Sequence, residues 1–247
     1  MIHFVIPVYN ETPNVAKVVT LIVDRLESIG LPYRVVVVDD GSTDGTADAY
    51  HRCATAGHPI ELIVHATNQG PGAAFRTGFL HVLKDAAPLD VVVTMEGDGT
   101  SDLSVLPRML RRVWEEGDHI VLASCYLYGG GIRSAPLYRV VLSHVANAFM
   151  RKALGLSGLA TLSSFYRVYQ VAILRALHAR HGPRFITSQG FECMVEVLYR
   201  AAQLGARISE VPIVLDGSRR GGPSKMKTFK TSLAYLRLGS RGLLGRL

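Results

Sequence analysis

Two carboxylates one glycine apart, Glu96 and Asp98, follow the apolar run Val91-Val92-Val93-Thr94-Met95 in this 247-residue chain. Such a run reads as a buried strand, and the acids after it as the loop at its carboxyl end. In open parallel α/β sheets ligands sit outside the carboxyl ends of the strands, so the pair stands where a substrate would. Two carboxylates held close repel each other, and a shared divalent cation is the simplest way to keep both ionised. A cation there would draw phosphate oxygens. The same residues also fit a plain strand-to-helix turn in which Asp98 or Asp102 caps the next helix.

The elements that would position this loop alternate along the first half of the chain. Strands are expected at 2–7, 33–39, 60–65, 89–95 and 119–124, and helices at 14–28, 46–56, 72–85 and 102–116. Thr12-Pro13 opens the first helix, with proline where its missing N–H costs nothing. Continuous apolar strands separated by helices predict an α/β fold whose parallel sheet is covered on both faces, with right-handed crossovers. Polar strand ends near Tyr9, Asp40 and Glu96 should then meet along one edge. The second half is less regular: a Gly-rich loop at 126–137, helices at 138–154, 171–181 and 189–204, and strands at 163–169 and 207–215.

Composition narrows the function. Hydrophobic residues make up 48% and charged residues 19%, which describes a globular chain. No apolar run approaches the roughly 18 residues of a membrane span, and no basic leader precedes the first strand. Cys53, Cys125 and Cys193 lie far apart in no metal-ligand spacing, which suits a reducing compartment. These features predict a cytoplasmic location. The net charge of +7 is local: residues 219–247 hold eight Lys or Arg and no acid, which leaves −1 for the rest. That tail could meet phosphorylated ligands or an anionic membrane; with few aromatics there and a near-neutral remainder, nucleic acid is not expected.

Five motifs then come in a telling order: Val5-Ile6-Pro7-Val8-Tyr9-Asn10-Glu11, Val36-Val37-Val38-Asp39-Asp40-Gly41-Ser42-Thr43-Asp44-Gly45-Thr46, Asn68-Gln69-Gly70-Pro71-Gly72-Ala73-Ala74, Glu96-Gly97-Asp98 and Glu210-Val211-Pro212-Ile213. Together they resemble the family 2 inverting glycosyltransferases, most of all the polyprenyl-phosphate (dolichyl-phosphate) mannosyl- and glucosyltransferases. The likeness covers about residues 2–230. It implies a GT-A fold, a mostly parallel Rossmann-like sheet in one domain over 1–230, with a nucleotide-sugar half at 1–124 and an acceptor half with a basic lid loop at 125–230. A basic amphipathic tail follows at 231–247.

The resemblance assigns roles to matching positions. Pro7, Tyr9, Glu11, Val38 and Asp40 fall where the family holds the base and ribose of a GDP-mannose or UDP-glucose type donor. Glu96, Gly97 and Asp98 match its Asp-x-Asp, which binds Mg²⁺ or Mn²⁺ on the donor diphosphate, with Thr100 a further oxygen ligand. Arg219, Gly222, Ser224 and Lys225 match a loop that closes over the diphosphate. Arg139, Arg167 and Ser164 are candidates for the acceptor phosphate. Glu196 matches a family glutamate near the active site; it would be the general base for a hydroxyl acceptor, as would Glu192, or else a helix acid paired with Arg200.

Three departures keep alternatives open. Glu96 stands for the family's first Asp, Cys125 for an Arg, and Thr161 for an Asp. The implied activity is metal-dependent transfer of mannose or glucose to a polyprenyl phosphate by a peripheral enzyme at the inner membrane face, docked through its basic tail or on a small membrane partner. The alternatives are a hydroxyl acceptor, or a homologue that binds nucleotide sugars without catalysis.

Overall fold

The valine-rich strands bury both of their faces. In β1 (Ile2–Val8), Phe4 and Ile6 point to one side and Val5 to the other, and β2 (Tyr33–Asp39) divides Val35 and Val37 from Val36 and Val38 in the same way. This period of two splits the core into two layers. One lies under α1 (Val15–Ile29), α2 (Thr46–Thr55) and α4 (Leu106–Trp114). The other lies under α3 (Pro71–Val82), α5 (Leu137–Leu154), α6 (Val171–His181), α7 (Cys193–Gln203) and α8 (Thr228–Leu243). The computed structural model describes residues 1–134, 136–222 and 228–243, without the side chains of residues 139 and 228–230.

With β3 (Ile60–Val64), β4 (Val91–Thr94), β5 (Ile120–Ser124), β7 (Arg167–Gln170) and β8 (Ile208–Pro212), the main sheet runs β3-β2-β1-β4-β7-β5-β8. The sheet is mostly parallel, as expected, except that β7 runs antiparallel to both neighbours. The reason is where the chain stands when β7 begins. The Oγ atoms of Ser124, at the end of β5, and Thr161 lie 2.7 Å apart. The chain is therefore still at the carboxyl edge and can only run back. The predicted loop at 126–137 also contains a short strand, β6 (Gly131–Arg133), which pairs in parallel with β9 (Val214–Asp216). The predicted helix at 102–116 divides into a 3₁₀ turn at Leu103–Val105, capped by Asp102, and α4.

Two glycines set the close approaches at the carboxyl edge. A Cβ on Gly97 would stand 2.6 Å from Cγ1 of Val8, so only glycine lets the acidic loop lie against β1. Gly72 donates its N–H to the carbonyl of Gln189 at 2.9 Å, and a Cβ there would meet the carbonyl oxygen of Ser188 at 1.9 Å. The start of α3 is thereby fastened to the loop ahead of α7. Gly72→Ala should destabilise the chain by about 1–3 kcal/mol through this overlap. Gly158→Ala, in open space, is the control, and equal melting temperatures for the two would show that the approach does not constrain the fold.

Candidate functional site

Because β2, β1 and β4 are adjacent and parallel, the loops after them lie side by side. Pro7 pairs with Val38 and Val8 with Asp39, which places the first two motifs in register. The loops are stitched by polar bonds: Asn10 N–H to Ser42 Oγ at 2.8 Å, Thr43 N–H to Asn10 Oδ1 at 2.9 Å, and Glu11 N–H to Thr46 Oγ1 at 2.8 Å. Tyr9 is partly exposed, while Val38 is wholly buried.

Asp40 is held by the neighbouring loop. Its carboxylate lies 2.8 Å from His65 Nδ1 and accepts the N–H groups of Gln69 at 3.0 Å and Gly70 at 2.7 Å. It braces the 65–70 loop. The neighbouring Asp39 accepts from Ser42 N–H through Oδ1, but its buried Oδ2 has no hydrogen-bond partner among the described residues. A buried oxygen without a partner is costly and marks the open valence of this end of the site.

Glu96 and Asp98 do converge at the end of β4. Asp98 Oδ1 accepts the N–H of Thr100 at 3.0 Å and its hydroxyl at 2.6 Å, and Glu96 Oε2 accepts from Ser101 Oγ at 2.8 Å. Burial, and then the charge of Asp98, raise the Glu96 carboxyl above the ordinary range. The cation facing them is Arg220. Its Nε donates to Asp98 Oδ2 at 2.7 Å, and its Nη2 contacts the same oxygen. Arg219, the residue the motif selects, points instead towards Asp216 at 4.0 Å. Lys225 and Ser224 lie outside the described residues.

Arg220 belongs to a strap, residues 216–222, that crosses the donor loops. Lys17 Nζ donates to the carbonyl of Arg219 at 2.5 Å, and Gly221 N–H donates to Asn14 Oδ1 at 2.9 Å. Asn14 Nδ2 in turn donates to Glu11 Oε2 at 2.6 Å, which links the first motif to the strap. Sequence reasoning passed over Arg220, Asn14 and Lys17. The signal was present in the paired Arg219-Arg220, but motif register favours the first of the two and contact favours the second.

On the acceptor side Arg167 and Glu196 are both engaged by the chain itself. Arg167 is wholly buried and donates to the carbonyls of Ser164 at 2.7 Å, Met194 at 2.7 Å and Leu162 at 2.6 Å, and to Tyr169 Oη at 3.3 Å. A guanidinium so committed holds the chain together and offers nothing to an acceptor. Glu196, also wholly buried, accepts the N–H groups of Thr187 and Ser188 and the Thr187 hydroxyl, and pairs with Arg200 at 2.8 Å. These contacts match the reading of Glu196 as a helix acid paired with Arg200. Ser164 turns back on Tyr166, with N–H to Oγ at 3.2 Å. Arg139 lies in the first turn of α5, its side chain outside the description. Glu210 accepts the N–H groups of Ala160 and Thr161 at 2.6 and 2.8 Å. Cys125, where an arginine was expected, is pushed up to about 11 by burial and stays an uncharged thiol.

The donor set is hard oxygen: two carboxylates and the Thr100 hydroxyl. That suits Mg²⁺ or Mn²⁺ completed by diphosphate and water, the usual way such ions bind with one or two carboxylates. Among the described residues no group of three His, Cys, Asp or Glu could enclose a metal alone, so the ligand would have to contribute. Arg220→Gln should lower stability by about 2 kcal/mol in metal-free buffer, because it leaves the two acids unbalanced. Millimolar Mn²⁺ should restore the melting temperature, and a deficit indifferent to Mn²⁺ would count against a cation site.

With this geometry in place, four likenesses are informative. Residues 3–177 match the family described as Glycosyl transferase family 2. The chain is 32% identical over 244 residues to polyprenol monophosphomannose synthase of Mycolicibacterium smegmatis, covering 98% of this chain and 87% of that one. It is also 32% identical over 242 residues to undecaprenyl-phosphate mannosyltransferase of Micrococcus luteus, covering 98% and 94%. Among solved structures, mannosyl-3-phosphoglycerate synthase from Rubrobacter xylanophilus matches with a TM-score of 0.68 at 21% identity, over all of this chain and 75% of that one, a likeness of fold of the GT-A kind. The sheet order, the acids gathered at its carboxyl edge and a family match over most of the sequence agree: the chain belongs to glycosyltransferase family 2.

Proposed function

We propose that the chain transfers a mannosyl group from a nucleoside diphosphate sugar to a polyprenyl phosphate. The observation that carries this reading is the commitment of the acceptor-side carboxylates to backbone amides. Glu196 and Glu210 hold loop N–H groups, and Glu192 accepts from Gly190 N–H at 3.2 Å. A hydroxyl acceptor needs a base to take its proton, whereas a phosphate is already an anion at neutral pH. The two relatives named for polyprenol and undecaprenyl phosphate support the same choice, because their similarity runs past residue 177 through the rest of the acceptor half.

In this reading an acceptor phosphate oxygen bonds to the anomeric carbon as the bond to the donor diphosphate breaks on the opposite side, which inverts that carbon. Tyr9 and Pro7 flank the base, and Glu11 and the open oxygen of Asp39 face the ribose or base donors. Glu96, Asp98 and Thr100 would hold Mg²⁺ or Mn²⁺, which offsets charge on the leaving diphosphate. Arg220 leaves Asp98 for the diphosphate, and Arg219 and Lys225 extend the same cationic strap. Because Asp40 and Arg167 act on the chain itself, their loss would lower stability before chemistry.

The test is a screen of GDP-mannose and UDP-glucose, with Mn²⁺ and without, against a short prenyl phosphate. Mannosyl phosphoprenol formed from GDP-mannose is the expected product. Donor binding with product only on hydroxyl acceptors would favour that alternative, and donor binding without product on any acceptor would favour a homologue that binds nucleotide sugars without catalysis. Asp98→Asn should reduce transfer at least about 100-fold while the melting temperature changes little; retained turnover would remove Asp98 from the chemistry.

A further inference from the structure

Helix α5 turns an apolar stripe outward. Leu137, Val141 and Val145 are 78%, 52% and 62% exposed, Leu142 is also exposed, and the stripe runs on through exposed Ala148 to Lys152. Residues spaced by four along a helix share a face, and residues 137–148 span about 17 Å. The opposite face of α5 buries Met150 and Leu154. Helix α8 lies against α5, where a Cβ on Gly239 would meet the Phe149 ring at 2.6 Å. It too leaves Leu233, Leu236 and Leu243 exposed, with Arg237 and Arg241 among them. Single apolar residues are common on surfaces, but a contiguous stripe on one helix marks a docking face.

Charge identifies what docks. All 20 acids of the chain lie within residues 1–118 and 192–216. The two helices of the face, α5 and α8, carry six Lys or Arg in sequence, Arg139, Arg151, Lys152, Lys230, Arg237 and Arg241, and no acid. A second copy of the chain would bring like charges together across such a face. Anionic lipid headgroups would complement it, and the stripe supplies the apolar strip that an interfacial helix buries at the acyl boundary.

We propose that α5, with α8 beside it, lies on an anionic bilayer with the stripe from Leu137 to Ala148 in the headgroup boundary. This adds α5 to the basic C-terminal tail that the sequence singles out, since the inner face of α8 packs against α5 and the two helices present one surface. The helix also braces the acceptor side: Tyr126 Oη donates to Ser143 Oγ at 2.6 Å, and Leu162 N–H donates to Asn147 Oδ1 at 2.9 Å. Resting on the lipid-phosphate reading of the site, the docked helix gives the acceptor phosphate a short route from its own membrane.

The experiment compares the full chain with Val141→Glu/Val145→Glu and Val141→Ser/Val145→Ser. Partitioning is measured onto phosphatidylcholine vesicles with and without phosphatidylglycerol, beside melting temperature, mass by light scattering and transfer to a short water-soluble prenyl phosphate. Binding should require phosphatidylglycerol, and the Glu pair should weaken it about tenfold or more, with the Ser pair between. Melting and soluble transfer should be unchanged; if the Glu pair unfolds, the Ser pair carries the comparison. Equal partitioning of parent and variants, or a concentration-dependent dimer of the parent that the Glu pair dissolves, would overturn the proposal. Absence of soluble transfer with vesicle binding intact would instead count against the lipid-phosphate reading and leave the docking face standing.

Discussion

Like charge crowded at the end of a parallel sheet is the constraint on which the rest of this structure depends. Strands β2, β1 and β4 run side by side in the same direction, so Asp39, Asp40, Glu96 and Asp98 are delivered to one edge. Each needs a donor or a cation there, because carboxylates in a partly dry site repel one another and lose water. The loops supply these partners: N–H groups of the 69–70 turn, hydroxyls of Thr100 and Ser101, His65, and the guanidinium of Arg220. At Asp39 Oδ2, which has no partner among the described residues, the site has room in its bonding for a ligand.

Arg220 gives this balance a direction. A guanidinium resting on Asp98 already meets the charge requirement that a divalent ion would otherwise meet. It is delivered by a strap tied to α1 through Lys17 and to the turn before it through Asn14. Arginine suits the task because its planar fork serves carboxylate and phosphate equally well. The same side chain can therefore hold the acids together in one state and meet the donor in the other.

A second group of charged residues works on the backbone. Loops at a sheet edge carry N–H and C=O groups with no strand to pair with, and buried ones must be satisfied. Arg167 gathers three carbonyls, while Glu196 and Glu210 each gather two N–H groups. Their residue types suggest chemistry, and in family terms they sit near it. Arg167 and Glu196 are wholly buried and Glu210 partly so, and all three hold the loops around residues 160–164 and 187–188.

The sequence by itself determined the strands, the helices between them and the convergence of three polar strand ends, because hydrophobic period and turn residues are local signals. It also carried the acidic pair at 96–98 and the segregation of acids from cations. It did not determine the direction of β7 or the pairing of β6 with β9, since both depend on where distant segments leave the chain. Nor did it distinguish Arg219 from Arg220, Asp39 from Asp40, or a reactive Glu196 from a bracing one. Those choices rest on which neighbour reaches a given oxygen or nitrogen first, and residues such as Asp98 and Arg220, 122 positions apart, become neighbours only in the folded chain.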